Sequence, residues 1–195
     1  MSLPEPPSQP SKLLSSLFEH IDEEQRFNVL HVGPALQDTV DFFSRYRCKL
    51  HFIDVFSELP LATLEDSELS LEQQFGEILQ LQADTQFDLC LFWDVFNFLD
   101  TEAIAAFLSQ LRPCLKATSL AHAFSVHNLK TPQGSQLYGI KHMDTLSLRN
   151  RQTKLPGYAP HSQSELKQVL TCFRFERSVL LPDSRLELVL RAHLQ

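Results

Sequence analysis

Two residues early in the chain have the types and the spacing needed to hold a ligand. Gly33 ends one short apolar segment, and Asp54 ends the next. A glycine lets a ligand approach the backbone closely because it has no Cβ, and a carboxylate accepts hydrogen bonds from adjacent hydroxyl groups such as those of a ribose. The two residues are 21 positions apart (54 − 33), near the spacing of about 20 at which a turn glycine and a ribose-binding acid act together. We therefore expect a ligand that carries a ribose at this place.

Strands and helices must bring such residues to one edge of a sheet. The hydrophobic pattern predicts strands over 28–32 and 49–53 with a helix between them. The clearest strand covers 87–94, because its nearly continuous apolar run is typical of a parallel strand buried on both faces. It ends at Asp94. Since ligands bind outside the carboxyl ends of parallel strands, Asp94 is a third candidate site residue.

The whole chain alternates strands with helices of about ten residues and closes with a strand pair at 174–180 and 186–192. This order predicts an α/β sandwich around a mostly parallel sheet with a C-terminal antiparallel hairpin. Four of the first ten residues are prolines, so we expect residues 1–10 to form a flexible N-terminal tail. We expect residues 11–195 to form a single domain.

The composition argues against several classes of protein. With 43% hydrophobic and 21% charged residues the chain is typical of a soluble globular protein, and it lacks the apolar run of ~20 residues that would span a membrane. The sequence does not begin with a basic region followed by an apolar one, which favours a cytoplasmic location. A net charge of −7 argues against nucleic acid as a partner. The four cysteines lack metal-ligand spacing, so we expect no metal site.

Four segments carry motifs in a recognisable order. Residues 87–99 begin with the letters FDL and end with DVFNFL, and residues 107–116 end a helix pattern with LRPCLK. A helix pattern at 161–166 and a strand pattern at 186–190 follow. This set resembles the class I methyltransferases that use S-adenosylmethionine, over about residues 27–194. The resemblance implies a Rossmann-like three-layer sandwich, S-adenosylmethionine as the cofactor, and transfer of a methyl group to an acceptor.

The resemblance also assigns cofactor contacts, on a glycine-rich motif that is degenerate. The family's first motif runs from an acid through alternating glycines, and residues 31–37 align with it with only the first glycine, Gly33, retained. His31 stands in the place of the acid, Ala35 in that of the second glycine and Gln37 in that of the third. The residues that the resemblance places at the cofactor are His31, Gly33, Ala35, Asp54, Val55, Glu77, Ile78 and Asp94.

Several of these positions also have a structural interpretation. His31 can be a core residue at a strand end, and Asp54 can cap the turn that follows it. A short strand is predicted over 71–75, after which Glu77 resembles the family's acid that accepts from the adenine amino group, beside Ile78. A solvated loop residue fits Glu77 equally well. Both interpretations of each residue stay open at the level of sequence.

The segment 129–160 is unusual for its charge. It has five basic residues against one acid, a net of +4 (5 − 1) in a chain of net −7. The basic residues are Lys130, Lys141, Arg149, Arg151 and Lys154. We predict a long loop inserted after the fifth strand, over the carboxyl edge of the sheet, because long loops often serve as lids or binding elements. This loop is expected to receive the methyl acceptor, an anionic small molecule or an acidic protein, with a simple solvated loop as the alternative.

Three functions remain open. The first is an active methyltransferase of unknown acceptor. The second is a methyltransferase-like binding or regulatory module without activity, which the residues His31, Ala35 and Gln37 favour. The third is a nicotinamide-dependent oxidoreductase, which needs a turn richer in glycine. Because methyl transfer from an activated sulfonium depends mainly on aligning the reactants, no catalytic residue is predicted.

Overall fold

Strands and helices alternate over most of the protein. The computed structural model describes residues 7–195. In chain order the elements are β1 (Ser8–Pro10), β2 (Phe27–Val32), α1 (Gln37–Phe43), β3 (Cys48–Ile53), α2 (Leu71–Leu79), β4 (Phe87–Trp93), α3 (Thr101–Leu111), β5 (Leu115–Val126), β6 (Gln136–His142), β7 (Thr145–Asn150), α4 (Gln163–Val169), β8 (Phe173–Leu180) and β9 (Arg185–Ala192). Short 3-10 helices lie at Leu14–Leu17, Val55–Glu58, Val95–Phe98 and Arg112–Cys114.

A six-stranded mixed sheet has the order β3-β2-β4-β5-β9-β8. The strands β3, β2, β4 and β5 are parallel, β9 is antiparallel to β5, and β8 is antiparallel to β9. The central strand β4 is buried along almost its whole length, as its apolar run predicts. The expected mostly parallel sheet with a closing antiparallel hairpin is confirmed.

Two apolar clusters cover the two faces of this sheet. On one face the sheet packs against α2, α3 and α4 through side chains such as Phe75, Phe107 and Leu166. On the other it packs against α1 and the 3-10 helix Leu14–Leu17 through side chains such as Phe43. The expected Rossmann-like sandwich of a sheet between two covering layers is therefore confirmed.

The chain changes direction across the sheet between β2 and β4. From β2 it moves outward to β3, and later it passes through β4 to β5 on the other side. In open α/β sheets a crevice forms at such a switch point, outside the carboxyl ends of the strands. Because Gly33 follows β2 and Asp94 follows β4, both residues lie where a ligand is expected.

A second, three-stranded sheet replaces the long loop predicted at 129–160. β6 and β7 form an antiparallel hairpin, and β1 pairs with the free side of β7. Residues 8–10, predicted as part of a flexible tail, thus form a strand, while residues 1–6 of that tail lie outside the described residues. Proline is compatible with a short edge strand, and Leu148 N donates to Pro7 O at 2.9 Å. The predictions of a flexible tail at 8–10 and of a long loop at 129–160 are therefore wrong. Local patterns could not show this pairing, because it joins segments far apart in sequence.

Helix α2 replaces the short strand predicted over 71–75. The hydroxyl of Ser70 accepts a hydrogen bond from Gln73 N, and the side-chain oxygen of Gln73 accepts one from Ser70 N. This reciprocal pair is a capping box, which satisfies two N–H groups that a helix start leaves free. The cap fixes the beginning of α2 at this point.

Three further observations concern the described residues, 7–195. None of their helices is long and apolar enough to cross a membrane. Their His, Cys, Asp and Glu side chains form no group of three or more that could hold a metal ion. The cysteines are free thiols, and Cys90, Cys114 and Cys172 are buried, so these three pack as small apolar side chains.

Candidate functional site

The carboxyl ends of β2, β3 and β4 bring three of the predicted residues together. Gly33 has a φ of +134°, a conformation that favours glycine, and its N–H donates to Ile53 O at 2.8 Å, which joins the turn to the end of β3. Asp54 follows β3, and its Oδ1 is buried with no hydrogen-bond partner among the described residues. Asp94 follows β4 and is buried. The two acids and the glycine therefore share one edge, which we call the carboxyl edge.

Other predicted positions lie in different surroundings. Ala35 is exposed in the turn before α1, and Val55 is fully buried in the core. Glu77 is exposed in the second half of α2, and its neighbour Ile78 packs against the core beneath that helix. The cofactor contacts assigned to these four residues stay predictions.

His31 is a neutral core residue beside the turn. Its ring packs against Phe52 and Trp93 with centroid distances of 5.0 and 5.5 Å, and its Nε2 accepts a hydrogen bond from Trp93 Nε1 at 3.4 Å. Burial lowers the pKa of His31 to about 3, so the imidazole carries no charge near neutral pH. An uncharged ring thus stands where the resemblance implies a carboxylate.

Trp93 ends β4 in an unusual backbone conformation. Its φ of +52° lies in the left-handed region, which bulky side chains rarely adopt, and such strain costs about 1–3 kcal/mol. Its indole stacks on Tyr138 of β6, with ring centroids 5.7 Å apart. The second sheet therefore holds the residue that directly precedes Asp94.

Arg151 belongs to the carboxyl edge, although the sequence presented it only as one of five basic residues in a predicted loop. It follows β7, and its side chain is only 6% exposed. The guanidinium carbon lies 4.2 Å from the centre of the Phe56 ring, and Nη2 lies 3.4 Å from Asp94 Oδ1. Its Nε has no hydrogen-bond partner among the described residues. A positive charge is thus buried beside the two acids.

The charge of Asp94 depends on a balance between burial and Arg151. Burial raises the pKa of Asp94 to about 6, and the positive charges of Arg151 and, more weakly, Arg185 oppose that rise. The carboxyl group is therefore ionised at pH 7 and takes up a proton near pH 6. Asp54 also interacts electrostatically with Arg151. The carboxyl edge holds two acids around one guanidinium.

The Gly33 turn lies against two ring side chains. A Cβ placed on Gly33 would be in ordinary van der Waals contact with both, 3.6 Å from His31 Nε2 and 3.8 Å from the Phe56 ring. The Phe56 ring packs edge-on against Phe98, with centroids 6.0 Å apart. His31, Phe56 and the guanidinium that lies over Phe56 therefore border the turn.

The second sheet is fastened to the first turn of α1. Asp38 accepts hydrogen bonds from Ser147 Oγ and from Arg149 Nη2, the latter at 3.0 Å. Ile140 N donates to Thr39 Oγ1 at 3.1 Å. These contacts fix the second sheet beside the turn that contains Gly33.

Two of the basic residues of 129–160 form ion pairs with acidic side chains. Arg149 pairs with Asp38, and Arg151 pairs with Asp94. Lys130 and Lys154 are exposed. The excess of positive charge that predicts an anionic acceptor is thus smaller at the surface than in the sequence.

A pocket of about 880 Å³ opens beside the carboxyl edge. Residues 59–64, the beginnings of α2 and α3, and residues 156–159 form its walls. Phe98 lines it and also lies 5.9 Å from the guanidinium of Arg151, so the pocket and the carboxyl edge share a wall. The described lining is mostly apolar and holds three carboxylates but no Lys, Arg or His; the acids are Glu72, Asp100 and Glu102. The volume is typical of a small-molecule site.

The carboxyl edge fits one half of S-adenosylmethionine better than the other. The unpartnered oxygen of Asp54 suits hydroxyl donors such as those of a ribose. Neither Asp94, which is paired with Arg151, nor His31, which is neutral, is a free negative partner for the sulfonium. The adenosine half therefore fits the residues as they lie, whereas a cationic half would compete with Arg151 for Asp94.

No protein-family model matches the chain, and no curated protein matches it. Solved structures do match. An S-adenosylmethionine-dependent methyltransferase from Clostridium acetobutylicum is 11% identical with a TM-score of 0.52, over 94% of this chain and 92% of that one. A 1,6-didemethyltoxoflavin-N1-methyltransferase from Burkholderia thailandensis, solved with 1,6-didemethyltoxoflavin and S-adenosylhomocysteine bound, is 16% identical with a TM-score of 0.51, over 93% of this chain and 77% of that one.

Lengths differ among the matching structures. This chain spans 54% of the pyocyanin biosynthetic protein PhzM, which is 14% identical over 92% of this chain with a TM-score of 0.47. At identities this low, the similarity to the Clostridium and Burkholderia structures establishes the fold. The chain has the class I methyltransferase fold.

Proposed function

We propose that the protein is an S-adenosylmethionine-dependent methyltransferase that binds its cofactor at the carboxyl edge. The observation that carries the proposal is the buried, unpartnered Oδ1 of Asp54 near Gly33, at the switch point of a methyltransferase fold. A buried acceptor without a partner costs about 1–3 kcal/mol, and ribose hydroxyls would remove that cost. The S-adenosylhomocysteine bound to the Burkholderia enzyme supports an adenosyl ligand.

The chain contributes binding and alignment in this proposal. S-adenosylmethionine supplies a methyl group that is already activated. Asp54 orients the ligand through its hydroxyl groups, and Gly33 lets the ligand approach the backbone. Phe56 and Phe98 exclude water from the carboxyl edge. Holding the methyl group and an acceptor in line accounts for most of the rate that such an enzyme needs.

We infer that the acceptor is largely apolar and carries no negative charge. The pocket beside the carboxyl edge is large enough for a small molecule, and its lining is mostly apolar. An anionic acceptor would be repelled by Glu72, Asp100 and Glu102, whereas an amine or a neutral ring compound would not. This inference replaces the anionic acceptor that the charge of 129–160 predicts.

A second candidate function is a binding or regulatory module that does not transfer methyl groups. The ion pair between Arg151 and Asp94 and the neutral state of His31 favour it, because both weaken the attraction for a sulfonium. In this alternative the protein binds an adenosyl compound and acts through a partner.

Isothermal titration with S-adenosylmethionine and S-adenosylhomocysteine tests the cofactor site. We expect at least one of them to bind with a submillimolar Kd, and Asp54→Ala to weaken that binding at least tenfold, about 1.4 kcal/mol. The matched control is Asp41→Ala, which removes an exposed acid on α1 and should leave the Kd unchanged. An absence of binding at millimolar ligand would overturn the proposal, and an unchanged Kd in Asp54→Ala would remove Asp54 from the site.

Transfer of label from methyl-tritiated S-adenosylmethionine to a panel of apolar amines and phenols separates the two candidate functions. Labelled product supports the methyltransferase. Tight binding of the cofactor with no transfer to any member of the panel, under conditions where another methyltransferase labels its own acceptor, favours the binding module.

A further inference from the structure

Arg151 brings a permanent positive charge to the acids that a cationic ligand would need. A guanidinium stays protonated in proteins, and this one is buried against Asp94 and over Phe56. Asp54 lies within its electrostatic reach. The charge of Arg151 is therefore part of the surroundings of any ligand at the carboxyl edge.

The local charges show what Arg151 changes. Asp54 and Asp94 contribute two negative charges to the carboxyl edge, and neutral His31 contributes none. Arg185, whose guanidinium donates to Asp183, Tyr138 and Gln9, opposes the raised pKa of Asp94 less than Arg151 does. Arg151 thus cancels about half of the negative charge at the carboxyl edge.

Arg151 has fewer and longer hydrogen bonds than Arg185, the neighbouring arginine that joins separate parts of the chain. Arg185 donates to three different side chains at 2.7 Å. Arg151 has one hydrogen bond at 3.4 Å, and its buried Nε has no partner among the described residues. Since buried donors are normally satisfied, this unused donor points to a ligand that completes the site.

We propose that Arg151 is a specificity-determining residue that weakens the preference of the carboxyl edge for an adenosyl ligand with a sulfonium over one with an uncharged sulfur. This proposal rests on the proposed function. S-adenosylmethionine carries a sulfonium, whereas S-adenosylhomocysteine has the same skeleton with a neutral thioether. The two ligands differ at the sulfur by one methyl group and one positive charge, so Arg151 repels the first and not the second. Repulsion between buried charges is screened much less than at the surface.

The test compares the Kd values of these two ligands by isothermal titration for the wild type, Arg151→Met and Lys154→Met. We expect Arg151→Met to lower the Kd of S-adenosylmethionine relative to that of S-adenosylhomocysteine at least fivefold, because it removes the positive charge that opposes the sulfonium. Lys154→Met is the matched control, since Lys154 is an exposed basic residue of the same segment, and it should keep the wild-type ratio.

Each outcome decides between the proposals. A ratio of the two Kd values that is unchanged in Arg151→Met, or that shifts towards S-adenosylhomocysteine, would overturn the role of Arg151 while adenosyl binding stands. If neither ligand binds the wild type or Arg151→Met, the proposed function fails, and the role of Arg151 fails with it. Thermal unfolding checks that the variants fold. Should Arg151→Met not fold, Arg151→Gln replaces it, because its amide still donates to Asp94 without a charge.

Discussion

Single side chains decide which charge a ligand meets at the carboxyl edge. His31 offers a neutral ring where a carboxylate is implied, and Asp94 shares its charge with Arg151. The same residues determine how stability depends on pH, because their protonation differs between the folded and unfolded chain. His31 should have the larger effect on stability, since its pKa lies further from its usual value than that of Asp94 does.

The buried His31 should make the protein less stable as the pH falls. Its folded pKa is about 3, well below the ~6.5 of an unfolded histidine, so between these values the unfolded chain binds the proton and the folded protein does not. From pH 7 to pH 5 this difference costs about 2 kcal/mol. We expect the free energy of unfolding of the wild type, relative to His31→Gln, to fall by that amount in urea denaturation at the two pH values.

Asp94 changes the stability in the opposite direction, so the effect of His31 must be measured as the difference between the wild type and His31→Gln. Because its folded pKa is raised to about 6, the folded protein binds a proton between about pH 4 and pH 6 that the unfolded chain does not, and stability from this residue increases as the pH falls. The difference between wild type and His31→Gln cancels that effect. The control is the exposed His20: His20→Gln should follow the wild type at both pH values. Parallel curves for wild type and His31→Gln would contradict the buried, neutral state of His31.

At the scale of elements, the contact between the second sheet and α1 determines where Arg151 lies. Gly139 of β6 packs so closely on α1 that a Cβ there would lie 2.8 Å from Thr39 Oγ1 and 3.1 Å from Leu36 Cδ1. Thr39 has little freedom to move, because its hydroxyl accepts the hydrogen bond from Ile140 N. A glycine is therefore needed at this position for space.

Gly139→Ala should separate the second sheet from α1. Overpacking of this kind costs about 1–3 kcal/mol, and we expect that loss in the free energy of unfolding measured in urea. The matched control is Gly134→Ala, because a Cβ on Gly134 meets no atom within 4 Å. That change should leave stability unchanged or raise it slightly, since alanine restricts the unfolded chain. An equal effect of the two substitutions would contradict the close contact.

At the scale of the whole molecule, Glu187 ties the beginning of the described chain to the main sheet. It lies on β9, fully buried, and accepts hydrogen bonds from His122 Nε2 at 2.9 Å, from Ser11 Oγ and from Lys12 N at 2.9 Å. Burial alone would raise the pKa of Glu187, but its hydrogen bonds with His122, Ser11 and Lys12 hold it below its usual value. The carboxylate thus joins three segments of the chain.

Glu187→Gln should lower the free energy of unfolding by about 1–3 kcal/mol near pH 7, because the uncharged amide cannot accept all the hydrogen bonds that the buried carboxylate accepts. Since the folded pKa is depressed, this contribution is present above about pH 4.3 and is lost as the pH falls through the folded pKa. Glu176→Gln is the control, as it removes an ion pair with Arg191 near the surface and should cost less than about 1 kcal/mol. Similar losses in the two variants would contradict the anchoring role.

Local patterns in the sequence predict the main sheet and two acids of the carboxyl edge. β4 is readable from its apolar run, and Asp54 and Asp94 follow from the strand ends. The capping-box pair Ser70 and Gln73 also predicts the start of α2, and the strand predicted over 71–75 does not take it into account. The location of Arg151 could not be predicted from the sequence, because it depends on the second sheet, whose strand β1 comes from the other end of the chain. Local patterns do not show such long-range pairing, so they do not show that the Arg151 guanidinium is buried.

The pairing of β1 with β7 also determines which part of the second sheet opens first. Ser8 pairs with Ser147, so β1 is added only when two distant parts of the chain meet, at a cost in loop-closure entropy. A three-residue edge strand of this kind belongs to the part of a protein that opens locally before the core unfolds. Opening of β1 would expose the edge of β7, while the pairing of β6 with β7 and the hydrogen bond of β6 to α1 stay closed. The least stable part of the second sheet is therefore its outer edge.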